Sequence, residues 1–465
     1  MGDSEIEIKH SKLGMVSYGF NSFSRELLRI TFTTLGFFFY QTEVKLNVWI
    51  IALAYVIFAI YNMFNDPFIG WITNRPFKFT KKWGRRFPWI LLGGIPWGLS
   101  YIIIFTPPQV NPVSGAWILF LWLLFTTCLF DTFHSLFFVS YMSLFPDKFR
   151  SVQERRTASG IYIMVGVFGV AFGAIIPPLF YDYGDISSYV IQGVVVFLIT
   201  TVGFLLALPG SREDQATIDL YLRSSAEKPE RESFFKSLII AAKQKPFIIF
   251  MILYILYQSL VETMQAAIQF TVRYSLKMEA EANTLIFTFM LIGVLLSTPI
   301  WTIYSRRAKD NKKVMIISAL CLAAATLPLT FLRNYWGVII NMLIWGMALG
   351  GFWVMIFPVT ADVIDNSVVL TKKREEGVYT GFQQFFGRMG IIVQALTFAT
   401  VQTLTGFDPA RGTNQTDTAI WGLHFQQSTV PMFFILIGIF FFWIWYDLTP
   451  GRVRENELRI KELGL

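Results

Sequence analysis

The sequence predicts an all-α membrane protein in which twelve transmembrane helices form two six-helix halves, with both termini in the cytoplasm. Of the 465 residues, 54% are hydrophobic and 15% are charged, whereas a typical soluble domain has about 25% charged residues. Apolar runs of about 20 residues, the length that crosses a bilayer as a helix, recur twelve times along the chain. Basic residues concentrate in alternate loops between these runs, which predicts the orientation.

The apolar runs are separated by polar loops, and the longest polar stretch, 209–236, divides them six and six. We therefore predict an N-terminal half at 1–208, a cytoplasmic linker at 209–245, a C-terminal half at 246–447 and a cytoplasmic tail at 448–465. The predicted spans are 14–40, 44–72, 87–106, 114–145, 155–180, 186–208, 246–272, 282–305, 313–332, 336–364, 375–404 and 427–447.

The basic residues favour one side of the membrane. Thirty-one of the 39 Lys and Arg residues lie in the termini or in the loops of one side, and five lie in the loops of the other. By the positive-inside rule the richer side is cytoplasmic. The net charge of +8 is therefore a sign of topology and requires no nucleic-acid partner.

Glycines in two spans indicate close helix packing. Gly169 and Gly173 lie in span 5, and Gly346 and Gly350 lie in span 10. Both pairs have the spacing at which small residues allow two helix backbones to approach each other.

Span 2 contains a polar stripe where a membrane helix should be apolar. Asn62, Asn65 and Asp66 are spaced i, i+3 and i+4, so they lie on one helix face. Amide and carboxylate oxygens on one face can coordinate a hard cation, and a carboxylate alone can carry a proton. A hydrogen-bonded contact between helices is the structural alternative. We favour cation coupling because ionisable residues within membranes are usually functional.

Other charged residues lie within the predicted spans. In span 1, Glu26 and Arg29 are spaced i and i+3 and can pair, which would lower the cost of burying them. Taken together, the charged residues within the spans are nearly neutral, which predicts that they share a polar cavity. Separate structural ion pairs are the alternative. The set comprises Arg25, Glu26, Arg29, Asp66, Asp131, Glu262 and Arg388.

A second group of charges lies near the predicted cytoplasmic ends of the spans. Asp362 and Asp365 lie near the predicted cytoplasmic end of span 10. We predict that they pair with basic residues when the inner side is closed, as a gate; a solvated helix end is the alternative. The basic residues considered are Arg85, Arg86 and the run from Lys372 to Arg374.

Enzyme motifs were not found in the sequence. Cys128 and Cys321 lie in apolar runs, and the three histidines are scattered without the spacing of metal ligands. There is no phosphate-binding loop. We therefore predict no enzyme activity, no cofactor and no resident metal.

Several stretches carry a family resemblance when they are taken together. "SYGFNSFSRELL" in span 1 is similar to Y-G-x-G-x-x-x-K-D, and "NMFNDPFIG" in span 2 is similar to D-x-x-N-D-P-x-x-G. "WGRRFPW" follows span 2, and "ADVID" with "REEGVYTGFQQFFGRMG" covers spans 10 and 11. Across nearly the whole chain the sequence resembles the glycoside–pentoside–hexuronide:cation symporters, the melibiose permease group of the major facilitator superfamily.

The resemblance implies roles for individual residues. Glu26 matches an acid that binds sugar hydroxyls, with Arg25 beside it, and Asn65 and Asp66 match cation-site residues. Further solute contacts are implied on spans 10 and 11, by Trp353, Gln383 and Arg388.

The sequence also departs from the family pattern at the implied site. Asn62 replaces the first acid of the span 2 motif, which leaves Asp66 as its single acid. Phe138 and Tyr162 stand at the positions of a sugar-binding acid and an arginine. Asp131, seven residues before Phe138, is expected to supply the missing carboxylate to the solute.

These features predict a secondary active transporter that moves a sugar, glycoside or similar polar solute together with a cation. A proton is favoured over sodium because one carboxylate suffices for a proton. We expect a monomer in the plasma membrane, with the bilayer, the solute and the cation as its partners. The alternatives are a carrier of lysolipids or other amphiphiles with the same fold, and a membrane sensor without transport.

Overall fold

The computed structural model describes residues 10–73, 75, 77–215, 217–219, 234–372 and 376–462. These residues form helices and turns, and none of them lies in a β-strand. The α-helices in chain order are α1 (Lys12–Thr42), α2 (Val48–Thr73), α3 (Thr80–Trp83), α4 (Phe87–Ile104), α5 (Ala116–Lys148), α6 (Val152–Ile175), α7 (Ile186–Ser211), α8 (Phe234–Ala241), α9 (Lys245–Phe270), α10 (Ala282–Ala308), α11 (Asn311–Thr326), α12 (Tyr335–Thr371), α13 (Glu376–Gly387), α14 (Met389–Thr405), α15 (Asp417–His424), α16 (Val430–Trp445) and α17 (Pro450–Glu462).

Ten helical segments of the described chain are long and apolar enough to cross a membrane. Each coincides with one predicted span, which confirms the predicted all-α membrane architecture. The helices at predicted spans 1 and 11 are not among these ten segments. α1 has 31 residues but carries three charged residues near its middle. Span 11 is divided at Arg388 into helices of 12 and 17 residues, each shorter than the roughly 20 residues that a bilayer requires.

Polar side chains fix where several helices begin. Ser151 accepts a hydrogen bond from the backbone N–H of Glu154 at 3.1 Å, before α6. Asp310 and Asn334 cap α11 and α12 in the same way, at 2.9 and 2.6 Å. Such caps satisfy backbone N–H groups that have no partner within the helix. The helix boundaries therefore follow local sequence at the loops.

The chain divides into two compact units. The first comprises Met1–Phe39 and Ile60–Glu230, and the second comprises Tyr40–Ala59 and Arg231–Leu465. The division differs from a simple split at the linker because the end of α1 and the start of α2 belong to the second unit. The predicted boundaries of the linker and the tail stay a prediction, as does the predicted orientation of the termini.

The end of α1 is held within the second unit by polar contacts. Glu43, just after α1, forms an ion pair with Arg273 in the π-helical turn Thr271–Ser275 that follows α9. Gln41 donates to the side-chain oxygen of Gln402 in α14. These contacts explain why Tyr40–Ala59 belongs to the second unit.

Glycine allows close helix packing in both units, as the spacing predicts. A Cβ added to Gly169 of α6 would lie 2.2 Å from the carbonyl oxygen of Phe23 in α1. A Cβ added to Gly346 of α12 would lie 2.0 Å from the carbonyl oxygen of Met290 in α10. Contacts this short would force the backbones apart, so both positions require glycine.

The packing predicts a contrast between two glycines of the same helix. Gly169→Ala should lower the free energy of unfolding by about 1–3 kcal/mol, because an extra methyl group in a full contact forces backbone shifts. Gly160→Ala is the control, because nothing lies within 4 Å of the added Cβ there. Thermal unfolding in detergent measures both, and equal unfolding midpoints for the two variants would contradict the packing described here.

Candidate functional site

The polar stripe of α2 lies against a polar stripe of α5 in the first unit. Asn62 donates its side-chain N–H to Oδ1 of Asp131 at 2.5 Å, and Asn65 donates to Oδ2 of Asp131 at 3.0 Å. Asn65 also donates to the hydroxyl of Ser135 at 3.0 Å, and that hydroxyl donates to Oδ1 of Asp66 at 2.5 Å. We call these five residues the α2–α5 cluster.

Helical spacing explains how both helices contribute to the cluster. Asn62, Asn65 and Asp66 share one face of α2, and Asp131 and Ser135 are spaced i and i+4 on α5. The cluster is largely removed from solvent, since the exposed fraction of Asp131 is 3% and that of Asn65 is 5%. A buried carboxylate requires hydrogen-bond donors, and the two amides supply them to Asp131.

The α2–α5 cluster therefore contains two carboxylates. Sequence analysis identified only one acid in the motif of α2, and it assigned Asp131 to the solute. The structure places Asp131 beside the predicted cation-coupling residues, where both of its oxygens accept hydrogen bonds. Its assignment to the solute stays a prediction.

A separate ion-pair group lies on α1, and we call it the α1 triad. Glu26 pairs with Arg25 through one oxygen and accepts from Nε of Arg29 at 2.9 Å through the other. The side chains of Arg25 and Glu26 are mostly buried, at 13% and 16% exposed, and that of Arg29 is 33% exposed. The formal charge of the triad is +1. The Glu26–Arg29 pair expected from the spacing is present.

An aromatic column connects the α1 triad to the α2–α5 cluster. The guanidinium of Arg25 lies 4.3 Å from the ring centroid of Phe138. Phe138 stacks on the ring of His134, with centroids 5.3 Å apart. Nδ1 of His134 is 3.8 Å from Oδ1 of Asp131, and the ring also packs against Trp97 of α4, with centroids 4.7 Å apart.

Sequence reasoning overlooked His134. The three histidines lack the spacing of metal ligands, although the position of His134 carries a different signal. His134 follows Asp131 by three residues and precedes Phe138 by four, so the three share one face of α5.

The remaining predicted solute residues lie in other contacts. Tyr162 of α6 stacks on Tyr141 of α5, with centroids 5.8 Å apart. In the second unit the indole N–H of Trp353 donates to the hydroxyl of Tyr257 at 2.6 Å. Gln383 donates to the hydroxyl of Thr360 at 2.7 Å, and Arg388 lies half-buried at the break between α13 and α14. Their roles stay predictions.

The predicted gate residues also have partners within their own units. Arg85 pairs with Asp147 at 2.8 Å, and the guanidinium of Arg86 donates to the hydroxyl of Thr73 at 3.3 Å. Asp362 accepts from the amide of Asn311 at 2.8 Å. Asp365 is half-buried in α12. Arg374 lies outside the described residues, and the gate itself stays a prediction.

A comparison with known families accounts for this architecture. Residues 17–450 match the family described as MFS/sugar transport protein, where MFS denotes the major facilitator superfamily. The chain belongs to this family. It is therefore an integral, multi-pass membrane protein of the transporter class. Membership of the narrower melibiose permease group stays a prediction.

The names of individual relatives indicate different solutes. The chain is 22% identical to the sodium-dependent lysophosphatidylcholine symporter 1-A of Danio rerio, over 94% of this chain and 86% of the relative. It is 24% identical to the isoprimeverose transporter of Lactiplantibacillus pentosus, over 81% of this chain and 76% of the relative. Names of both kinds support a small-molecule solute, and the name symporter supports a coupled cation.

Solved structures support the fold. A bacterial homolog of the human lysosomal transporter Spinster, in an inward-facing and unoccupied conformation, matches with a TM-score of 0.68. The match covers 97% of this chain and 99% of that chain at 11% identity. At this identity the likeness shows the major facilitator fold alone.

The α2–α5 cluster predicts an unequal effect of two similar substitutions. Asn65→Ala should destabilise the protein by about 1–3 kcal/mol, because it removes a donor from a buried carboxylate. Asn341→Ala is the control; Asn341 is 6% exposed and donates to the carbonyl of Ala325 at 2.9 Å. Thermal unfolding in detergent should show a larger loss of stability for Asn65→Ala than for Asn341→Ala. A double variant that carries both Asn65→Ala and Asp131→Asn should recover part of this loss. A loss no larger than that of Asn341→Ala would refute the role assigned to Asp131.

Proposed function

We propose that this protein is a cation-coupled symporter and that the α2–α5 cluster binds the coupling cation. The observation that carries the proposal is the meeting of two carboxylates, Asp66 and Asp131, with three neutral oxygen-bearing side chains. Hard cations prefer oxygen ligands of this kind. Rotation of the amides of Asn62 and Asn65 presents their oxygens to the cation in place of their N–H groups.

Sodium is the cation that this arrangement favours. The expectation of a proton rests on the single carboxylate of α2, whereas Asp131 adds a second carboxylate to the cluster and supports sodium. Two carboxylates supply the negative charge that offsets the loss of water from a sodium ion. The relative from Danio rerio is named as sodium-dependent, which supports the same choice. A proton remains the alternative that the experiment below separates.

The proposal predicts the cation dependence of uptake. In proteoliposomes, an inward sodium gradient should drive accumulation by the wild type at constant pH. Asp66→Asn and Asp131→Asn should each abolish accumulation, because each removes charge that holds the cation, while exchange without a gradient persists. Asp408→Asn, at an exposed acid, is the matched control. Accumulation driven by a proton gradient and indifferent to sodium would overturn the choice of sodium.

The α1 triad favours a solute with an anionic head group. Two arginines flank a single glutamate, so the triad has a net positive charge, and arginine binds phosphate with paired hydrogen bonds. Glu26 is already engaged by both arginines, and Asp131 by both asparagines. We therefore propose a phosphate-bearing amphiphile, such as a lysophospholipid, as the first candidate.

An apolar groove beside α1 suits the chain of such an amphiphile. It has a volume of about 590 Å³ and lies between α1, α6 and α7. Phe20 and Phe23 of α1 line it together with Phe168 and Phe172 of α6. A solute with both a phosphate and an acyl chain would find a charged group and an apolar surface on the same helix.

A sugar or glycoside is the second candidate. The family description and the name of the isoprimeverose transporter support it, and Glu26 supplies an acceptor for sugar hydroxyls. Glu26 would affect the two candidate solutes in opposite ways. A sugar would hydrogen-bond to its carboxylate, whereas a phosphate would be repelled by it.

Substitution of Glu26 therefore separates the two solutes. Glu26→Gln should weaken binding of a sugar about tenfold or more, because a hydrogen bond to a charged group contributes roughly 1.5–3 kcal/mol. The same change should not weaken binding of a phosphate head group, whereas Arg29→Gln should. A counterflow panel of lysophospholipids, sugars and glycosides measures this in proteoliposomes. Counterflow of sugars alone, weakened by Glu26→Gln, would refute the amphiphile.

A further inference from the structure

A polar cavity lies in the second unit, between α12, α17 and the turn that joins α10 to α11. Its volume is about 350 Å³, which is large enough for a small molecule. Two acids and two bases face this one cavity beside an amide. These polar lining residues are Lys309, Asn311, Asp362, Arg454 and Glu457.

Local structure places the charged residues on the cavity. Lys309 ends α10 in a left-handed backbone conformation, with φ of 51°, and turns the chain into α11. α17 packs against α12 and buries Asn456 and Ile460, which are spaced i and i+4. Arg454 and Glu457, spaced i and i+3, are exposed on the same helix and line the cavity.

The buried part of the cavity attracts positive charge. The exposed fraction of Asp362 is 7%, and its Oδ2 accepts a hydrogen bond from the amide of Asn311 at 2.8 Å. In the described part of the chain no donor contacts its Oδ1, and no basic group forms an ion pair with it. Glu457, Asp365 and Asp310 add to the negative potential around it. Because a buried carboxylate is costly without a charged partner, Asp362 favours a cationic group in the cavity.

The rim of the cavity carries the opposite charge. Lys309 and Arg454 are exposed there, and among the described residues neither has an acidic partner within ion-pair distance. These two cations oppose a ligand that is only a cation, and Asp362 and Glu457 oppose a ligand that is only an anion. A ligand that carries both charges complements the whole lining.

We propose that this cavity binds a small zwitterion, with an ammonium group on Asp362 and a phosphate or carboxylate group on Lys309 and Arg454. Both contacts are hydrogen bonds between charged groups, which are the strong ones. The site uses no residue of the α2–α5 cluster or the α1 triad, so it is independent of the proposed function. Soluble zwitterions and the head group of phosphatidylethanolamine share this chemistry.

Isothermal titration calorimetry of the purified protein, in an uncharged detergent, tests the proposal with phosphoethanolamine, ethanolamine and inorganic phosphate. The wild type should bind phosphoethanolamine about tenfold or more tightly than either of the others, because each of these makes only one of the two charged contacts. Arg454→Gln should weaken the binding of phosphoethanolamine about tenfold or more. Arg452→Gln is the matched control, because Arg452 is exposed on the same helix and pairs with Asp447; it should follow the wild type.

A second variant tests the buried end of the cavity. Asp362→Asn should remove the preference for phosphoethanolamine over inorganic phosphate. Because Arg454 is exposed, its variant keeps the proposal testable if Asp362→Asn fails to fold. Equal binding by the wild type and Arg454→Gln would overturn the proposal, and so would binding that is lost in Arg29→Gln alone, since the probe would then lie at the α1 triad.

Nanodiscs distinguish the two sources of the zwitterion. In phosphatidylglycerol, a lipid without an ammonium group, the protein should bind phosphoethanolamine as it does in detergent, and no binding in either medium would overturn the site. Loss of this binding when phosphatidylethanolamine is added to the bilayer would assign the site to the lipid head group. Retained binding would assign it to a soluble zwitterion.

Discussion

The contact between α2 and α5 through Asp131 is the interaction on which the rest of this account depends. A charged carboxylate within a membrane is costly unless it is paired or hydrogen-bonded. Here Asn62 and Asn65 donate to its two oxygens, and Ser135 extends the network to Asp66. In the proposed function, the same amides that donate to Asp131 rotate to offer their oxygens to a cation. The proposal thus assigns stability without the cation and binding of the cation to one set of side chains.

The α1 triad and the α2–α5 cluster are two distinct charged groups within one unit. The aromatic column of Phe138 and His134 lies between them, and each group has its own hydrogen-bond partners. The triad keeps a net positive charge because two arginines share one glutamate. The cluster keeps a net negative charge because its donors are neutral amides and a hydroxyl. This separation supports different ligands for the two groups, a solute for the triad and a cation for the cluster.

Much of the fold could be predicted from the sequence because span length and loop charge are local properties. Ten predicted spans coincide with helices, often within a few residues, and local caps such as Ser151 and Asp310 explain their starts. The break at Arg388 was not predicted, because the sequence analysis treats 375–404 as a single span. Residues 40–59 belong to the second unit because Glu43 and Gln41 contact Arg273 and Gln402, which are far away in the sequence.

The site was predicted only in part for the same physical reason. The stripe of Asn62, Asn65 and Asp66 follows from helical spacing within α2. Its partner Asp131 lies more than 60 residues away, and no periodicity in the sequence indicates which faces of two helices meet. Resemblance to a family assigned Asp131 to the solute, and it also drew attention to Phe138 as a missing acid. His134, one turn before Phe138 and beside Asp131, gained significance only from the contacts.

A structure determined in sodium chloride, compared with one determined in choline chloride, tests the central claim most directly. The account predicts a cation between the carboxylates of Asp66 and Asp131 in sodium, with the amide oxygens of Asn62 and Asn65 turned toward it. In choline the amides should donate to Asp131, as they do here. A cluster that keeps both amides donating to Asp131 at saturating sodium, with no cation between the carboxylates, would contradict it.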